Sequence, residues 1–114
     1  TPLDVTDGIF FLKSDGAATI SFIVEKDSTQ STLTLPNSLA DDTFMTLGFV
    51  YDPKDQKFHV YQNNVLAGTV VSTNAPDNEE LTVSFGIQNG AAAAKTLSVD
   101  YIGAHKERTA VTEL

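Results

Sequence analysis

Residues 44–71 read FMTLGFVYDPKDQKFHVYQNNVLAGTVV, three apolar runs joined by two compact polar turns. In the first run Met45, Leu47, Phe49 and Tyr51 make one face, and Phe44, Thr46, Gly48 and Val50 make the other. This is the period-two alternation of a strand. Asp52-Pro53-Lys54-Asp55 reads as a turn, because proline sets φ at its second position. Phe58, Val60 and Gln62 then alternate with His59 and Tyr61. Asn63-Asn64 predicts a two-residue hairpin, since asparagine accepts the left-handed backbone that such turns require. Val65 to Val71 returns as a third strand, and the whole stretch is a β-meander.

Upstream, residues 1–6 read as a connecting segment, with Pro2 disfavouring regular pairing. Gly8 opens a strand over Ile9 to Lys13, and Ser14-Asp15-Gly16 is a turn triplet. Ala18, Ile20, Phe22 and Val24 alternate with Thr19, Ser21, Ile23 and Glu25, which predicts a half-buried strand. Lys26-Asp27-Ser28 turns the chain. Thr29 to Leu35 forms a further strand that ends at Pro36, which cannot donate to a ladder. Pro36 to Thr43 is a polar loop.

Downstream, Ser72 to Glu80 is a long acidic loop. Leu81, Val83, Phe85 and Ile87 alternate with Thr82, Ser84, Gly86 and Gln88, and Leu97, Val99 and Tyr101 mark a last strand. The four alanines Ala91 to Ala94 are too few for a stable helix. Residues 106–114 read as a tail. Eight strands with turn signals between them, and no long helical period, predict an all-β antiparallel β-sandwich of jelly-roll type. No boundary divides residues 1–114, which read as one domain.

Composition narrows the function classes. The chain has 114 residues, enough for one domain with a core. Cysteine is absent, which removes disulfides, thiol catalysis and cysteine zinc sites. Fifteen acidic residues face seven basic ones, for a net charge of −8. No basic face suited to nucleic acid is visible. No run approaches the roughly 20 apolar residues of a membrane helix, so neither nucleic acid nor a membrane is an expected partner.

No catalytic constellation emerges, and the expectation is a non-enzyme with no cofactor. His59 lies on a strand whose alternate face reads as solvated, and His105 lies near the tail. No HExxH arrangement accompanies either one. Glycoside hydrolysis needs two carboxylates at a defined separation, whereas Glu79 and Glu80 are adjacent in a loop and Asp100 stands alone on its strand. Calcium takes six to eight loop oxygens. Asp41 with Asp42, Asp52 with Asp55, and Asp77 with Glu79 and Glu80 each offer some, but none has an EF-hand or repeat spacing. They read as turn and solubility acids, so no metal site is assigned. Tyr51, Tyr61 and Tyr101 sit beside apolar strand neighbours, where packing or an interface explains them better than a sugar platform. Tryptophan is absent.

The segments Tyr51-Asp52, Val60-Tyr61-Gln62-Asn63-Asn64 and Val99-Asp100-Tyr101-Ile102 resemble the concanavalin A-like jelly roll in its laminin-G-like form. There a strand ending in Tyr-Asp leads to a Val-Tyr-x-Asn/Asp-Gly hairpin, and the domain closes on a Val-Asp-x-Ile strand. Asn64 stands where glycine is usual in that pattern. The likeness spans roughly residues 41–104. The wording TDGIFFLKSDGAATISF, ADDTFMTLGF, SFGIQNGAAAAKTLSVDYI and AHKER is similar to structural proteins of tailed-phage virions.

The resemblance implies a capsid decoration, head-fibre or other surface module at the virion surface, with other virion subunits or copies of itself as partners. A carbohydrate-binding adhesion module that takes glycans, with or without calcium, is the alternative. No ligand set of the family transfers residue by residue. Concanavalin-type sandwiches generally have more than eight strands, and the chain opens on Thr1. The expectation is therefore the C-terminal part of a longer chain, whose exposed edges and apolar faces favour an oligomer.

Overall fold

The computed structural model describes residues 6–14, 16–40 and 43–76, all within the compact unit Thr1–Leu81. Its strands are β1 (Gly8–Leu12), β2 (Ser21–Lys26), β3 (Thr29–Thr34), β4 (Leu47–Asp52), β5 (Lys57–Gln62) and β6 (Val65–Val71). A 3-10 turn follows at Ser72–Asn74. The strands form two antiparallel three-stranded sheets, ordered β1-β2-β3 and β4-β5-β6. The expected strands at Leu81–Gln88 and Leu97–Tyr101 lie outside the described residues. Among the described residues no helix is long and apolar enough to cross a membrane.

Two tight hairpins set the registers. Asn63 and Asn64 take φ of 53° and 65°, as the sequence predicts for a two-residue turn. Asp27 and Ser28 do the same between β2 and β3, at 49° and 65°. Left-handed backbone at a non-glycine residue costs on the order of 1 kcal/mol. Here two long-range hydrogen bonds offset it: the Asp27 N–H donates to Asp7 Oδ1 at 2.9 Å, and the Ser28 N–H donates to the Thr6 carbonyl at 2.9 Å. Thr6 and Asp7, the entry to β1, thus act as a cap on the β2–β3 turn.

Strand boundaries shift from the sequence reading for traceable reasons. β4 starts at Leu47, not Phe44, because its partner β5 ends at Gln62, which faces Leu47. Beyond that pair, Asn63 takes over: its side-chain Oδ1 accepts from Thr46 N–H at 3.1 Å, and its own N–H donates to the Thr46 carbonyl at 2.8 Å. β2 starts at Ser21, the residue that faces the end of β1 at Leu12. The β4–β5 turn falls on residues 53–56, with Asp52 still in the strand.

The two sheets share one core. Phe22 and Val24 from the first, with Ile20 and Leu35 just outside its strand ends, pack with Phe58, Val60 and Val70 from the second. The alternation in β5 is as expected, with Phe58, Val60 and Gln62 buried and His59 and Tyr61 half-buried. β2 departs from the half-buried strand its pattern predicts, since Phe22, Ile23, Val24 and Glu25 are all buried. Alternation sorts side chains between faces and does not say whether a face is covered. The Glu25 carboxylate accepts a hydrogen bond from Gln30 Nε2 at 3.1 Å, its cross-strand partner.

Phe22 joins the sheets. Its ring lies 5.2 Å from Phe11, 5.2 Å from Phe49 and 5.9 Å from Phe58, all tilted. Such separations are those of favourable aromatic pairs. The sheets come closest where β6 faces β3: a Cβ built on Gly68 would meet the Leu33 methyls at 3.0 and 3.1 Å. A side chain there would require the Leu33 methyls to give way, and the register shift at Val60/Tyr61 brings Gly68 opposite Val60.

Gln62 is a polar residue at a core position, 2 % exposed. Its Oε1 accepts from the Asn37 N–H at 3.0 Å, and its Nε2 donates to the Asn37 carbonyl at 2.8 Å. The amide imitates a strand ladder and clamps the loop after β3 to the end of β5.

Two substitutions test this account by urea unfolding. Phe22→Ala should lower stability by about 3–5 kcal/mol through transfer and cavity terms. Gln62→Leu should lower it by about 1–3 kcal/mol, because the Asn37 backbone loses both partners. A Gln62→Leu protein as stable as the parent would show that the clamp contributes nothing.

Candidate functional site

The β4 edge of the sandwich is less closed than its middle. Phe49 and Tyr51 point to the core side, in register with Val60 and Phe58, yet they are 40 % and 43 % exposed. Together with Phe58 they form an aromatic wall: Tyr51 and Phe58 lie 4.9 Å apart, and Phe49 and Phe58 lie 5.9 Å apart. The wall borders an open cleft of about 460 Å³, whose other sides include Ile9, Lys26 and Thr73. That volume is in the range of small-ligand clefts. An aromatic wall beside hydroxyl groups can stack a planar or ring-shaped ligand and bond its polar edge.

The outer face of the second sheet is the other exposed feature. Registers place Gly48, Tyr61 and Leu66 in one row, Val50, His59 and Thr69 in the next, and Asp52, Lys57 and Val71 in the third. Val50, Leu66 and Val71 are half or more exposed. Tyr61 lies half-buried beside Leu66.

The residues weighed from sequence fall out as follows. Asp52 and His59 share the outer face, with Oδ2 and Nε2 3.9 Å apart. Asp55 reaches the same spot from the turn, so that ligand atoms of Asp52, Asp55 and His59 all lie within 4.8 Å of one another. Reading along the chain treated Asp52 with Asp55 as turn acids and His59 as a solvated strand residue. The signal that joins them is the spacing Asp-x-x-Asp-x-x-x-His across a hairpin, legible only once the register is known. Tyr51 enters the aromatic wall and Tyr61 the outer face. Asp41, Asp42, Asp77, Glu79, Glu80, Asp100, Tyr101 and His105 lie outside the described residues.

Because Phe49 is partly exposed at the cleft, Phe49→Ala should cost about 1–2 kcal/mol in urea unfolding, well below the cost at a fully buried phenylalanine. A loss as large as that of Phe22→Ala would mean that the β4 edge is packed as tightly as the centre. No family model, no curated protein and no solved structure matches this chain.

Proposed function

We propose that this chain is a non-enzymatic structural module that works by docking its exposed sheet face onto neighbouring subunits, with a second copy of itself first among them. The observation that carries the reading is the outer face of β4-β5-β6, where Val50, Leu66 and Val71 present exposed apolar side chains interspersed with Tyr61, His59, Thr69 and Lys57. Exposed apolar side chains on a sheet face favour association, because covering them removes that area from water. The net charge of −8 supplies long-range repulsion between copies, so an interface must be carried by short-range apolar burial. In this reading the fold is the concanavalin A-like jelly roll of about eight strands that the resemblance implies. Its setting is the surface of a tailed-phage virion, as a capsid decoration or head-fibre module beside other virion subunits.

A carbohydrate-binding adhesion module is the second reading, and the cleft favours it. Phe49 and Tyr51 offer partly exposed rings backed by the buried Phe58, and Lys26, Ser72 and Thr73 border them. A sugar stacked there would use the same aromatic physics that packs the core.

Light scattering over a concentration series separates the two. The structural reading expects a closed oligomer, and Leu66→Lys combined with Val71→Lys should weaken self-association at least about tenfold, a loss of roughly 1.4 kcal/mol or more. A chain that stays monomeric at every concentration would overturn self-assembly. Glycan-array binding lost in Tyr51→Ala, and retained in the Leu66/Val71 variant, would favour adhesion instead.

A further inference from the structure

We propose that Asp52, Asp55 and His59 hold one Zn²⁺ ion at the end of the β4–β5 hairpin, with water completing the coordination. The inference goes beyond the assembly reading and does not depend on it.

Three features carry it. The first is the donor set, one imidazole nitrogen and two carboxylates, whose ligand atoms lie within 4.8 Å of one another. Mixed nitrogen and oxygen donors suit a borderline cation, and three protein ligands plus water is a recurrent zinc arrangement. Calcium would need six to eight oxygens, more than this corner supplies.

The second is geometry. Ligands at about 2.0–2.2 Å from a tetrahedral ion stand about 3.4 Å apart. The Asp52 Oδ2 to His59 Nε2 distance is 3.9 Å, so closure asks for small side-chain rotations. All three residues retain exposure, which leaves room for those rotations and for water.

The third is preorganisation and charge. Asp52 Oδ1 accepts the Lys54 N–H at 3.0 Å, which orients the carboxylate and leaves Oδ2 for the ion, as outer-shell hydrogen bonds do at metal sites. Asp52 and His59 sit on paired strands, with Asp52 facing Lys57 and His59 facing Val50, so the hairpin ladder holds two of the three ligands in place. Among the described residues, no lysine ammonium lies within ion-pair distance of either carboxylate. Among the described residues, two carboxylates and an imidazole converge with no ammonium in ion-pair contact with either carboxylate, and a divalent ion would supply positive charge at that point.

The test is calorimetric titration of Zn²⁺ into the full chain in a non-chelating buffer, with imidazole ¹⁵N shifts followed by NMR. The expected result is one saturable site per chain, with the His59 ring nitrogens shifting on binding. His59→Ala and Asp55→Asn should each weaken binding tenfold or more, while Asp27→Asn, in the β2–β3 hairpin, should leave it unchanged. The wild-type ring shift keeps the test decisive if a variant folds poorly. The proposal is overturned by the absence of saturable binding, by binding that leaves the His59 ring unshifted, or by His59→Ala binding as tightly as the parent. Binding lost in Asp55→Asn but kept in His59→Ala would mark a hard-cation oxygen site and would equally overturn it.

Discussion

The burial of one ring, Phe22, between two separate meanders is the constraint on which the described architecture depends. Each meander alone is a three-stranded sheet that would leave its apolar face in water, and packing the two together removes that area from solvent. Phe22 is fully buried and meets Phe11 on its own sheet and both Phe49 and Phe58 on the other. The aliphatic core, Val24, Leu35, Val60 and Val70, fills in around that contact. Other features then follow as fitting conditions. Gly68 stands without a side chain where Leu33 comes closest, and Gln62 carries its hydrogen bonds inward because the loop at Asn37 must be held over that end of the core.

The same packing explains where the surface is uneven. Among the described strands, buried area is concentrated on β2 and β5, the central ones, while β4 lies at an edge. Its core-side rings, Phe49 and Tyr51, therefore keep contact on one flank and exposure on the other, which makes the cleft. The outer face of the second sheet combines apolar Val50, Leu66 and Val71 with polar Thr69 and Lys57. A sheet face of that mixture suits a contact that forms and is specific, because apolar area supplies the driving force and the polar positions penalise wrong alignments.

At one corner of that face the hairpin gathers three ionisable side chains. The ladder between β4 and β5 fixes Asp52 and His59 on one face, and the four-residue turn folds Asp55 back toward them. The arrangement is local in sequence and arises from backbone geometry, so it persists whatever covers the rest of the sheet. A metal corner and an apolar docking surface can therefore coexist on one side of this sheet.

Much of the fold was legible in the residues. The alternation of Phe58, Val60 and Gln62, the Asn63-Asn64 turn and the breaks at Gly16 and Pro36 depend on local backbone preference and on a two-residue period, and both are properties of short segments. That physics placed six strands and their order. Tertiary structure decided what local rules do not contain. Whether a face is covered depends on what packs on it, so Ile23 and Glu25 are buried despite their alternating pattern. Where a strand stops depends on where its partner ends, so β4 begins at Leu47. The candidate site was hidden for the same reason: His59 and Asp52 meet only through the register of an antiparallel pair, a distance in space that no spacing along the chain expresses.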